Sequence, residues 1–159
     1  MQNANPTIFE TCNYTIRQPQ PSDYDDSVKD AIDRLEVFNQ IRNINDPEHP
    51  LTLEQLNVVQ LDHINIDECN SLIHVQITPT IPHCSMATMI GLSVMVKLMR
   101  SFGLYWKYRV TIFPGTHQNE HAINKQLNDK ERVSAAIENR ALLSAINAAL
   151  TPMPSSYPL

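Results

Sequence analysis

The amino-acid sequence predicts an α/β (α+β) domain: a small three-stranded sheet with a central buried helix packed on it and further helices, in the order α-β-β-α-β-α-α. Three observations carry this expectation. Ser71 to Thr78 alternates with the period of a half-buried strand. Cys84 to Arg100 is apolar nearly all round, as a helix inside a core is. Beyond Pro114-Gly115 the spacing turns helical and stays so to Leu150.

The elements follow in order. Val28 to Ile44 places Val28, Ala31, Ile32, Leu35, Phe38 and Ile41 on one helical face, with Arg42 the one charged intruder. Asn45-Asp46-Pro47 stops that helix, and Thr52 caps a short turn. Val58 to Ile66 alternates loosely and reads as a first strand. Asp67 to Asn70 is the hairpin turn into the second, where Ile73, Val75 and Ile77 share a face. Thr78 to Pro82 leads into the central helix, whose Met86, Met89, Met95 and Met99 read as core packing. Lys97 and Arg100 sit in its last turns, where cations suit the helix dipole, and Gly103 ends it. Tyr108 to Phe113 is the third strand. The helical remainder breaks near Asn128-Asp129 and Asn139.

Composition narrows the class. The chain has 159 residues with a formal charge of −5, a size suited to one domain with its own core. Residues 1–96 carry −9 and residues 97–159 carry +4, and no Lys or Arg lies between Arg42 and Lys97. The acidic balance argues against a general nucleic-acid binder. The uncharged stretch 69–96 is broken by prolines and histidines and predicts no membrane span. A polar start without an apolar run predicts no signal peptide. Three cysteines without Cys-x-x-Cys spacing predict reduced thiols in a cytoplasmic or nuclear protein. Residues 1–26 read as a disordered N-terminal tail, 27–150 as a single domain, and 151–159 as a Pro-rich C-terminal tail.

Four clusters have chemical meaning. Pro82-His83-Cys84-Ser85 puts a thiol where strand gives way to helix. Unpaired N–H groups there favour a thiolate, although a free cysteine is equally at home as a small buried hydrophobe. His117-Gln-Asn-Glu120-His121 allows either a metal site, on the spacing of an inverted zinc peptidase, or an N-terminal helix cap. Asp46-Pro-Glu48-His49-Pro50 reads as a solvated connector ahead of a docking surface or metal site. Lys97, Arg100, Lys107 and Arg109, with Tyr105 and Trp106 among them, read as a solvated edge or a protein-docking patch ahead of a single-strand nucleic-acid surface. Cys12 and Cys69 read as incidental.

Several long motifs carry a resemblance. They are Ile41 to Glu54, Thr78-Pro-Thr-Ile-Pro-His-Cys-Ser-Met-Ala-Thr88, Ile90-Gly-Leu-Ser93, Val96-Lys-Leu98, Pro114-Gly-Thr-His117 and Asn124 to Val133. Over about 35–150 the chain resembles the eukaryotic cytosolic iron–sulfur protein assembly component 2 family, also called the MIP-eighteen or Galla family. The Asp46–Leu53 loop looks more like the branch serving general client maturation.

The resemblance implies a non-enzymatic adaptor in a targeting complex with a WD-repeat β-propeller subunit and a HEAT-repeat scaffold. That complex delivers [4Fe–4S] clusters to apo iron–sulfur client proteins of DNA replication and repair. It implies a reactive thiol at Cys84 that contacts a transient iron–sulfur cluster, no organic cofactor, no direct nucleic-acid or membrane contact, and leaves a homodimer open. The alternative is a pure protein-interaction scaffold with no direct cluster contact, docking through Asp46, Glu48, His49, Lys97, Arg100 and Lys107. The chain departs from the family at Phe102 to Lys107, at Met95 and at Asn147 to Leu150, where a cysteine is often found.

Overall fold

Strand β2, Leu72–Ile77, is the middle of the sheet. In the computed structural model, which describes residues 5–11, 31–83 and 86–152, Ile73, Val75 and Ile77 on β2 are buried while their neighbours face partly outward. Strand β1, Ile64–Asp67, pairs antiparallel with it across a turn. Asp67 closes that turn by accepting from the backbone and side chain of Asn70, and these bonds, the side-chain one foremost, hold its carboxyl below the usual range. Strand β3, Lys107–Ile112, pairs with β2 in parallel, with Val75 opposite Val110.

A parallel pair needs a crossover. Helix α2, Ala87–Phe102, supplies it and packs against β3. Helix α1, Arg34–Ile41, also contacts α2. After β3 come helices α3, Glu120–Asn128, α4, Lys130–Glu138, and α5, Arg140–Leu150. Contacts with α1, α3, α5 and β3 explain why Ile90, Leu92, Val94, Val96 and Leu98 are all buried on one helix. The expected order holds, with the last helical stretch divided at Asp129 and Asn139. Each of those residues caps the next helix by accepting from two backbone N–H groups.

Gly91 is needed where α2 meets α3. A Cβ at that position would stand 2.5 Å from Leu127 Cδ1, and Leu127 is itself fully buried. Gly103 ends α2 at a φ of 73°, a conformation that side-chain-bearing residues rarely adopt. Among the described residues no helix is long and apolar enough to cross a membrane.

The structure corrects three element boundaries. Helix α1 starts at Arg34 because Asp33 accepts from the Glu36 N–H and caps it. Ala31 and Ile32 are not helical, and the expected residues 28–30 lie outside the described residues. The first strand covers Ile64–Asp67 rather than 58–66. Val58 and Val59 are both buried, and adjacent residues of a strand point to opposite faces. Those two fill the core from a bent segment that runs into a 3₁₀ turn at Leu61–His63. The central helix begins at Ala87 rather than Cys84, and Cys84 and Ser85 lie outside the described residues.

Most of the expected tails, residues 1–4, 12–26 and 153–159, also lies outside them. Residues 5–11 lie against the domain, where the Phe9 N–H donates to the Gln55 carbonyl.

Arg42, the cation on the apolar face of α1, has a structural purpose. Its Nε and Nη2 donate to Glu54 Oε2 and Oε1, each at 2.8 Å, and its guanidinium lies 5.3 Å from the centre of the Phe38 ring. Glu54 is buried and Arg42 nearly so. Removing one partner strands the other charge in a low-dielectric site. Glu54→Ala is therefore expected to lower unfolding free energy by about 3–5 kcal/mol, and Arg42→Met with Glu54→Leu by clearly less. Urea denaturation of the three proteins checks this, and equal losses in the single and double variants would contradict it.

Candidate functional site

Loops that follow parallel strands gather at the strands' C-terminal edge, the usual place for a site in such sheets. Two loops meet there. One is the segment from Thr78 to Met86 between β2 and α2, and the other runs from Phe113 to Asn119 after β3. They are joined by the Gln118 N–H, which donates to the Pro82 carbonyl at 3.0 Å. The first is anchored at its base by Thr78 N–H to Val58 O, with Pro79 buried behind it. His83 is exposed at its tip. Cys84 follows His83 in sequence and lies outside the described residues. Met86 at the N-cap of α2 offers no side-chain acceptor to the first turn.

In the second loop His117 is buried, and its Nδ1 accepts from the Asn119 N–H at 3.0 Å. Glu120 Oε2 accepts from the Gly115 N–H at 2.6 Å. The His121 side chain is 96% exposed, with Nε2 3.8 Å from Glu120 Oε1. His117 and Glu120 are thus engaged in loop and helix-start bonds of the capping kind, while His121 projects into solvent. Among the described residues no group of three His, Cys, Asp or Glu side chains is arranged to hold a metal ion.

The Asp46–Pro50 loop is built around one oxygen. Asp46 Oδ1 accepts from the Glu48 N–H at 2.8 Å and the His49 N–H at 2.9 Å, and it lies 2.9 Å from His49 Nδ1. The Asp46 and His49 side chains are only 6% and 5% exposed, so Pro47, Glu48 and Pro50 form what the loop shows to solvent. The basic residues divide between two places. Lys97 lines a mixed cavity with Asn39, Asn43, Ile44, Thr52 and Leu150, whereas Lys107 and Arg109 border a separate groove beside β3. Arg100 is exposed.

On the outer sheet face His74 Nε2 lies 2.8 Å from Thr111 Oγ1. Burial first, and then the charge of Arg109, lower the His74 pKa, so this ring favours the neutral form. Sequence reasoning missed the Gln118–Pro82 link, since neither residue type marks such a bond. It also missed the buried Asp46–His49 pair, although an acid three residues before a histidine between two prolines is a signal that could have found it.

Residues 34–101 match the family described as iron–sulfur cluster assembly protein. The chain is 54% identical to cytosolic iron-sulfur assembly component 2B of Mus musculus, over 95% of this chain and 91% of that protein. It is 52% identical to MIP18 family protein galla-2 of Drosophila melanogaster, over 92% and 93%. It is 48% identical to Protein AE7 of Arabidopsis thaliana, over 93% and 94%.

Because a single carboxylate oxygen organises the 46–50 loop, Asp46→Ala is expected to lower stability by about 1–3 kcal/mol, and Glu48→Ala to leave it nearly unchanged. Thermal unfolding of the two variants checks this, and equal midpoints would contradict it.

Proposed function

Since the chain belongs to the MIP18 family of cytosolic iron–sulfur assembly components, we propose that it is a non-enzymatic adaptor of cytosolic iron–sulfur protein maturation. In this reading it works in a targeting complex with a WD-repeat β-propeller subunit and a HEAT-repeat scaffold, in the cytoplasm and nucleus, and serves apo-proteins of DNA replication and repair. The observation that carries the reading is the extent of the likeness: relatives named cytosolic iron-sulfur assembly component 2B match at 54% and 46% identity over 95% and 90% of this chain.

The cluster is cargo in this scheme, and Cys84 is its contact. The segment bearing Cys84 links β2 to the start of α2 and is flanked at Pro82 by the bond from Gln118. The thiolate is the form of a cysteine that binds iron. A [4Fe–4S] cluster takes about four thiolate ligands. One Cys84 per chain therefore needs ligands from a second copy, a partner or the client.

Transfer on this scheme is ligand exchange. The iron–sulfur bond to Cys84 breaks as a bond to a client cysteine forms. The client thiol gives up its proton and the freed Cys84 thiolate can take one up, with no change in electron count. Neither His117 nor His121 is assigned a step.

The test is client loading by the assembled complex containing Cys84→Ala. Loss of loading with the propeller and scaffold partners still copurifying is the expected result. Unchanged loading with the complex intact would overturn the cluster contact and leave a pure interaction scaffold.

A further inference from the structure

The parallel register fixes which backbone groups of β3 face away from the sheet. Lys107 N–H donates to Ser71 O and Phe113 N–H donates to Ile77 O. The odd-numbered residues between them therefore bond to β2, and Tyr108, Val110 and Ile112 direct their N–H and C=O groups outward. Helix α3 covers the far half of this edge. Asn124 Oδ1 accepts from the Ile112 N–H at 2.7 Å, and Asn128 Nδ2 donates to the Val110 carbonyl at 3.5 Å. Among the described residues the cover stops there. The Tyr108 N–H, the Tyr108 C=O and the Val110 N–H form a short run of outward-facing strand edge.

That run borders a groove of about 760 Å³. On the side of the sheet where α2 lies, its walls include Met95, Met99, Leu127 and Val133. On the opposite side stand Lys107 and Arg109, both exposed, and Lys130 closes the end. No acidic residue lines the groove among the described residues. Leu104, 92% exposed, and Tyr105 project beside it from the loop that ends α2.

We propose that this edge is a docking site for an extended acidic segment of a partner protein, which adds a fourth strand beside β3. The geometry specifies the pattern of the segment. Alternate residues of a strand point to opposite faces. One set would enter the groove beside Met95 and Met99, and the other would meet Lys107 and Arg109. The partner segment therefore alternates apolar with acidic residues. Main-chain bonds at an exposed edge supply affinity and the alternate side chains supply selectivity. A second copy of this chain is a poor occupant, because it would bring a second set of the same cations to the groove. The site is separate from the Cys84 loop, which lies beyond the opposite end of β2, so its success or failure is independent of cluster handling.

The probe is a fluorescein-labelled peptide of about eight residues that alternates valine and glutamate, with both ends blocked, titrated into the full chain. Its valine–lysine counterpart is expected to bind more weakly by about tenfold or more, with the difference shrinking in salt. Lys107→Glu combined with Arg109→Glu is expected to reverse the preference. N-methylation of one alternate set of peptide amides should abolish binding, while methylation of the other set leaves it. Hydrogen exchange should show new protection at Tyr108 and Val110.

Four results would overturn the proposal. They are no binding by the glutamate peptide, equal binding by both peptides, equal sensitivity of both methylated sets, and protection at Tyr108 and Val110 that rises with chain concentration alone. The peptide-side modifications leave the protein unaltered, so misfolding of the charge-reversed variant cannot mask the outcome.

Discussion

Parallel strands cannot be joined by a tight turn, so the pairing of β2 with β3 obliges the chain to leave the sheet after Ile77 and return at Lys107. The connection must cross the sheet and be covered in turn, which is why α2 is apolar on nearly every side. It also brings the loop leaving β2 and the loop leaving β3 to the same end, where Gln118 and Pro82 meet. The position of the Cys84 segment and the open half of the β3 edge both follow from this one pairing.

The rest of the domain protects that arrangement. Helix α3 approaches α2 closely enough that Gly91 has no room for a side chain, and its two asparagines satisfy part of an edge that would otherwise be bare. Helix α5 is tied to the loop after α1, where the Asn45 N–H donates to Ala149 O and its side-chain amide donates to Thr151 O. The Arg42–Glu54 pair locks α1 onto the segment that carries Leu53 and Leu56 into the core. Local polar bonds thus hold elements that burial alone would leave free to slide.

Where a residue's own spacing determined its environment, the sequence was readable. Ile73, Val75 and Ile77 announced β2, and the near-uniform apolarity of residues 84–100 announced a helix buried against the sheet. The breaks at Asp129 and Asn139 were legible because both residues are good caps. The failures have a common physical origin in contacts between distant residues. Val58 and Val59 looked like strand because they are apolar, but they reach the core from a bend. Nothing in the local spacing marked Asn124 and Asn128 as cover for the β3 edge, because an uncovered strand edge is a property of the sheet and not of α3. The four basic residues of 97–109 looked like one patch in the chain, and the turn at Gly103 sends Lys97 and Lys107 to different cavities. Cys84 stood out through its neighbours, its long surrounding motif and its place ahead of a helix, whereas local spacing left open whether it binds or merely packs.

The proposed adaptor role asks for no deep pocket, only for a thiol carried by the loop after β2 and surfaces that hold donor and recipient near it. The proposed role turns on Cys84 itself touching the cluster. Anaerobic reconstitution of the assembled complex with iron and sulfide, carrying the wild-type chain or Cys84→Ala, tests it most directly through visible charge-transfer absorption and bound iron. Cluster absorption is expected with the wild type and is expected to be lost with Cys84→Ala, while both chains remain equally folded by circular dichroism. Equal iron and equal absorption in the two would contradict it.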